Sequence, residues 1–205
     1  MSRTWFITGT SSGFGRLMTE KLLAHGDRVA ATARKTDALS DLKGRYGELL
    51  WTAKLDVTDT AAVRDVVGRA FGDLGRIDVI VNNAGYGLFG AAEELSDQQI
   101  LDQINTNLLG PIQVTRAALP HLREQGAGRI IQLSTYGGQA ATPGASLYNA
   151  SKFGVEGFME SLVQEVAPFG IGVTIVEPGP FRTDWNGDSM TRATPMSAYL
   201  SLIHI

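Results

Sequence analysis

Short apolar runs alternate along the chain with stretches whose apolar residues recur every three or four positions. Trp5-Phe6-Ile7 predicts a short buried strand. Leu17, Met18, Leu22 and Leu23 then fall at helical spacing and predict a helix that buries them and stops at Gly26. Residues 29–33 predict a second strand, Ala38, Leu39 and Leu42 a short helical stretch, and residues 49–55 a third strand. Thr58 or Asp59 caps a helix with the apolar face Val63, Val66, Val67, Ala70, Phe71 and Leu74. Residues 79–81 predict a fourth strand, and a loop runs from Tyr86 to Leu95. Ser96 caps a helix through Ile100, Ile104 and Leu108; Gly110-Pro111 marks a kink or boundary, and helix resumes through Val114, Ala118 and Leu122. Residues 129–133 predict a fifth strand, residues 134–146 a polar, glycine-rich loop, residues 147–166 a helix closed by Pro168, and residues 173–176 a sixth strand.

Strands alternating with helices predict an α/β fold, a doubly wound parallel sheet joined by right-handed crossovers. In such sheets ligands sit beyond the carboxyl ends of the strands. The unusual sequences all fall there: residues 9–15, Arg34-Lys35, Asp56-Val57, residues 82–85, Ser134-Thr135 and Pro178-Gly179. Residues 1–185 are expected to form one domain, and residues 186–205 an incomplete or irregular tail without a strand or long helix. Residues 200–205 coincide with one translated frame of a transposon-derived sequencing adapter, and the expectation is that they are an artefact and that the natural protein is longer.

Composition narrows the function classes. A 205-residue chain with 43% hydrophobic and 19% charged residues has the makeup of a soluble globular domain. Its net charge of −3 gives no electrostatic case for nucleic acid or an anionic membrane. The absence of cysteine removes disulfides, thiolate catalysis and cysteine metal sites, and no metal site is expected. A strand begins directly after Met1-Ser2-Arg3-Thr4, so no signal peptide is expected, and no apolar run approaches the ~20 residues of a membrane helix. A cytoplasmic location is the expectation.

Two stretches carry chemistry. Thr8-Gly9-Thr10-Ser11-Ser12-Gly13-Phe14-Gly15 joins the first strand to the first helix. Glycines there reach backbone angles other residues avoid and let phosphates approach the main chain, while the helix start offers N–H groups and the positive dipole end. A dinucleotide pyrophosphate site is the reading. In Tyr148-Asn149-Ala150-Ser151-Lys152 the i, i+4 spacing puts the ammonium beside the phenol. A phenol titrates near 10, and a neighbouring cation lowers that value. Reaching pH 7 requires about 4 kcal/mol, more than a lysine alone supplies; a lysine with the positive charge of an oxidised nicotinamide could.

Thr8-Gly9-x-x-x-Gly13-x-Gly15, Asn82-Asn83-Ala84-Gly85, Ser134/Thr135, Tyr148-x-x-x-Lys152 and Pro178-Gly179 stand in the order and spacing of the short-chain dehydrogenase/reductase family, which the chain resembles over about residues 4–185. The resemblance implies a Rossmann-type fold and nicotinamide-dependent hydride transfer between an alcohol and a carbonyl. It implies that Tyr148 is the general acid/base and that Lys152 lowers its pKa and holds the nicotinamide ribose. Asn107 matches the asparagine that bends its helix and supports a water-linked proton path to the lysine. The substrate-orienting hydroxyl, a serine in most members, falls thirteen residues before the tyrosine at Thr135, with Ser134 as second choice.

By the same resemblance Gly9, Thr10, Ser11, Ser12, Gly13, Phe14 and Gly15 hold the pyrophosphate, Asp56 and Val57 the adenine, Asn83, Ala84 and Gly85 the middle of the cofactor, Pro178 and Gly179 its nicotinamide end, and Thr183 the carboxamide. A basic Arg34 at the end of the second strand, with no acid until Asp37, favours NADP, NAD remaining the alternative. Tyr86, Gly87, Leu88, Phe89, Gln139 and residues 181–185 are expected to border a pocket for a hydrophobic alcohol or carbonyl. Relatives carry a further strand and helix, so the full-length protein is expected to be a homo-oligomer. A non-catalytic cofactor sensor and a truncated, inactive reductase are the rival readings. A nucleotide-sugar enzyme of the extended branch fits less well, because its glycine spacing differs.

Overall fold

The computed structural model describes residues 2–179, 181 and 190–202. Six parallel strands form the central sheet: β1 (Thr4–Thr8), β2 (Arg28–Ala33), β3 (Leu50–Lys54), β4 (Val79–Asn82), β6 (Gly128–Leu133) and β7 (Ile171–Val176). Their order is β3-β2-β1-β4-β6-β7, so the chain winds outward from β1 in both directions and reverses between β1 and β4. Ligands bind at such a reversal, where the two flanking loops diverge.

The strands are near-continuous apolar runs because both sheet faces are covered. Alternation along each strand feeds two cores. Phe6, Ile80 and Ile130 face one, against α3 (Thr60–Leu74), α5 (Gly110–Gln125) and α6 (Ser146–Val166). Ile7, Val29, Ala31, Val79 and Val81 face the other, with Leu23 of α1 (Gly13–Ala24) and Leu42 of α2 (Ser40–Tyr46). Asp59, not Thr58, caps α3: its carboxylate accepts from the Ala61 and Ala62 N–H groups.

The buried face of α1 and the tail depart from expectation. Helix α1 buries Gly15, Thr19 and Leu23, leaving Leu17 on the opposite side and 49% exposed. Thr19 occupies a buried position because its hydroxyl donates to the Gly15 carbonyl at 2.8 Å. Helix α4 (Asp97–Ile104) buries Gln103, while Ile100 and Leu101 are exposed. Gly110-Pro111 falls at a boundary between helical forms. A π-helical turn at Asn105–Leu109 joins α4 to α5, and Pro111 sits in the first turn of α5.

The tail does contain a strand. β8 (Met190–Arg192) pairs in parallel with β5 (Gly87–Phe89) in a separate two-stranded sheet, with Leu88 opposite Thr191. Each strand has three residues, too few for a periodic signal, and the partner is about a hundred residues away. Among the described residues no helix is long and apolar enough to cross a membrane.

Candidate active site

The loops at the carboxyl ends of the strands surround a cleft of about 1050 Å³. That is at the top of the ~300–1,000 Å³ range of ligand clefts. One end is the turn between β1 and α1. Gly9 and Gly13 have φ of +70° and +54°, angles that favour glycine. A Cβ on Gly9 would lie 2.8 Å from Ala84 Cα, and one on Gly15 would overlap the Gly9 carbonyl oxygen. A Cβ on Gly13 would meet nothing within 4 Å. The first two glycines therefore let the turn pack on the β4 loop, and the third leaves room over the start of α1. Ser12 forms no side-chain cap there.

Gly9, Ser11, Ser12, Gly13 and Phe14 line the cleft. Thr10 and Gly15 do not: Thr10 is fully buried, with its hydroxyl and its N–H both donating to the Thr32 carbonyl, and Gly15 packs beneath the turn. Asn83, Ala84 and Gly85 line its middle. Asn83 Nδ2 donates to the Thr8 and Gly9 carbonyls, both at 2.9 Å, and the Thr8 hydroxyl accepts from the Asn83 and Ala84 N–H groups. The two loops flanking the strand-order reversal are thus tied to each other.

Arg34, Asp56 and Val57 line the cleft at the ends of β2 and β3. Partial burial pushes the Asp56 carboxyl up, but the Thr58 N–H and hydroxyl, helped by the charge of Arg34, hold it below its ordinary value. Pro178 and Gly179 also line the cleft. Thr183 lies outside the described residues.

At the other end, helix α6 presents Tyr148, Lys152 and Glu156 on one face, all buried, against the exit of β6. Thr135 lies beside Tyr148: a Cβ on Gly137 would be 3.3 Å from Thr135 Cγ2 and 3.7 Å from Tyr148 Cε1. Lys152 Nζ donates to the Leu133 carbonyl at 2.9 Å and lies 5.9 Å from the centre of the Tyr148 ring. The Ser134 hydroxyl donates instead to the Glu156 carboxylate. Geometry therefore favours Thr135 over Ser134 as the hydroxyl beside the tyrosine.

Burial pushes the Tyr148 phenol up to about 12, with the Thr135 hydrogen bond opposing it. Burial pulls the Lys152 ammonium down to about 8, opposed by the charge of Glu156. Asn107 sits in the π-helical turn. Its Oδ1 accepts from the Tyr86 N–H at 3.0 Å and its Nδ2 donates to the Tyr86 carbonyl at 2.8 Å, so its side chain holds the β4 loop. It stays near the lysine: a Cβ on Gly85 would be 3.2 Å from Asn107 Oδ1 and 3.9 Å from Lys152 Nζ.

Of the expected pocket border, Tyr86, Phe89 and Phe181 line the cleft. The Phe89 ring stacks on Tyr148 at 6.1 Å, and Phe181 meets Phe14 edge-on at 5.5 Å. Leu88 is buried in β5, and Gln139 Nε2 is committed to Glu156 and Glu177, so neither borders the cleft. Thr191 of β8, which lines the cleft, and Glu156, buried behind Ser134, were missed by the sequence reading. Glu156 carried a signal, a charged residue four positions beyond Lys152 on the same helical face.

The family model described as short chain dehydrogenase matches residues 3–193. An oxidoreductase (BOA17) of Botryotinia fuckeliana is 43% identical over 99% of this chain and 74% of its own length. A 3-ketodihydrosphingosine reductase of Bacteroides thetaiotaomicron is 41% identical over 86% of this chain and 63% of its own, so the chain spans under two thirds of that relative. A solved short-chain dehydrogenase from Streptomyces avermitilis superposes with a TM-score of 0.94 at 41% identity, covering 99% of this chain and 76% of that one. ElxO, solved with NADP bound, superposes at 0.85 and 30% identity over 90% of this chain and 76% of its own. A Brucella melitensis 3-ketoacyl-(acyl-carrier-protein) reductase, solved with NADH, superposes at 0.83 and 28% identity over 88% and 76%. Matched along nearly its whole length, the chain belongs to the short chain dehydrogenase family of oxidoreductases.

Proposed function

We propose that this chain is an NADP-preferring oxidoreductase that interconverts an alcohol and a carbonyl, with Tyr148 as acid/base. The observation that carries the reading is that Thr135, Tyr148 and Lys152 line one cleft together, with Tyr148 and Lys152 on one helical face. A cofactor-binding sensor has no need of that arrangement.

The residues present fit a nicotinamide dinucleotide. The open space at Gly13 and the uncapped start of α1 suit a pyrophosphate. Arg34 suits a 2′-phosphate, because a guanidinium pairs with phosphate through two parallel hydrogen bonds. Asp56 and Val57 would hold the adenine, Asn83 to Gly85 the middle, Lys152 the nicotinamide ribose, and Pro178, Gly179 and Thr183 the nicotinamide. That cofactor supplies or accepts the hydride and, when oxidised, a positive charge beside the phenol.

Tyr148 then donates its proton to the carbonyl oxygen of the substrate in reduction, or takes the alcohol proton in oxidation. The Thr135 hydroxyl orients that oxygen against the phenol. Lys152, pinned to Leu133, keeps its ammonium near the ring, and the π-turn at Asn105–Leu109 brings Asn107 beside it on the protein side. Phe89 and Ala145 give the substrate end an apolar lining suited to a hydrophobic substrate.

Titration with NADPH and NADH, followed by nicotinamide fluorescence, tests the reading, together with a screen of carbonyl substrates. Tighter NADPH binding with turnover is the expected result. Equal or tighter NADH binding would overturn the NADP preference, and cofactor binding without turnover of any carbonyl would support the sensor.

A further inference from the structure

The mechanism leaves Glu156 without a role. It is 3% exposed, and a carboxylate in an interior is expensive where an apolar side chain of similar volume would pack. Its surroundings are specific. One carboxylate oxygen accepts from the Ser134 hydroxyl and the other from Gln139 Nε2, whose amide also reaches Glu177 Oε1 at 3.2 Å. A Cβ on Gly138 would overlap the carboxylate, so the main chain of the turn lies directly against it. The turn itself is closed by the Gly138 N–H donating to the Thr135 carbonyl at 2.9 Å.

Consecutive residues leaving β6 are therefore tied to one helical row: the Leu133 carbonyl accepts from Lys152, the Ser134 hydroxyl donates to Glu156, and Thr135 lies beside Tyr148. Thr135 is extended, with φ of −170°, and has no regular structure of its own to direct its side chain. Its direction depends on Ser134 before it and on residues 136–139 after it, and Glu156 grips both sides.

We propose that Glu156 is a positioning residue for catalysis: through Ser134 and Gln139 it fixes the turn at residues 134–139 and so aims the Thr135 hydroxyl at Tyr148. The inference rests on the reading of Thr135 and Tyr148 above. A small misplacement of a substrate-orienting group is enough to lower turnover about a hundredfold.

The test is a double-mutant cycle with hydrogen exchange. Glu156→Ala should lower kcat at least tenfold, leave the Kd for NADPH within about twofold, and speed exchange of the Gly138 amide. Glu156→Gln should restore most of the kcat, because its amide can donate to the Ser134 hydroxyl and accept from Gln139. In a Thr135→Val background, Glu156→Ala should lower kcat by less than about twofold. Should Glu156→Ala fail to fold, Ser134→Ala, which removes one of the two grips, should show the same non-additivity with Thr135→Val. Wild-type kcat in Glu156→Ala, unchanged Gly138 exchange, or an equal kcat loss with and without Thr135 would overturn the proposal. Wild-type kcat in Thr135→Val would instead overturn the reading of the site. A wild type that turns over no carbonyl would do the same, and the exchange result would still decide whether Glu156 fixes the turn.

Discussion

Lys152 Nζ donates to the carbonyl oxygen of Leu133 at 2.9 Å, so a buried cation on α6 is anchored to the last residue of β6. Burial pulls that ammonium down to about 8 from an ordinary value of 10.5. Folding is therefore penalised at pH values where the lysine is charged. Below pH 8 both states carry the proton and the penalty is complete. Between pH 8 and 10.5 the unfolded chain binds more protons than the folded one, so stability rises with pH, and above 10.5 the penalty is gone. Relative to Lys152→Met, the wild type should gain about 3 kcal/mol of unfolding free energy across that window. Denaturant unfolding of both proteins at its two ends measures this, and a constant difference would contradict it.

Tyr148→Phe removes the proton donor and leaves the ring against Phe89. Turnover should fall by roughly 10²–10⁴, the usual contribution of a positioned acid or base. NADPH affinity, measured by nicotinamide fluorescence, should change by no more than a few-fold. Substantial residual turnover would refute the acid/base role.

Thr135 opposes the burial that raises the Tyr148 phenol. Thr135→Val should drive the phenol higher still, so the ascending limb of alcohol oxidation should move to higher pH. Turnover should drop about 10²-fold, as expected when one oriented donor is lost. Thr135→Ser keeps the hydroxyl and should keep both the pH profile and most of the rate.

Arg34→Asp replaces the cation at the end of β2 with an anion. A hydrogen bond to a charged group is worth about 1.5–3 kcal/mol, so the ratio of NADPH to NADH affinity should fall by roughly tenfold to a hundredfold. Parallel titrations of the two cofactors check this; an unchanged ratio would place the 2′-phosphate elsewhere.

Gly13→Ala and Gly15→Ala should separate binding from folding. The added methyl at Gly13 meets nothing within 4 Å, although φ is +54°, so the protein should fold with a loss of about 1 kcal/mol and bind NADPH more weakly. At Gly15 the methyl overlaps the Gly9 carbonyl, and thermal stability should drop sharply. Equal melting temperatures for the two variants would argue against this packing.

The sequence alone determined the alternation of strands and helices, the glycine turn, the Tyr148–Lys152 spacing and the Asp59 cap as one of two candidates. These are local signals, carried by period, turn chemistry and residues four apart on one helix. It ranked Thr135 over Ser134 only by resemblance, and it did not show that Thr10 and Gly15 face inward or find β5 and β8. Each of those depends on a partner distant in the chain: Glu156 takes Ser134, Thr32 takes Thr10, and Thr191 stands opposite Leu88. The upward push on the Tyr148 phenol was equally invisible, because i, i+4 spacing reports which groups are neighbours and burial decides how strongly their charges are opposed.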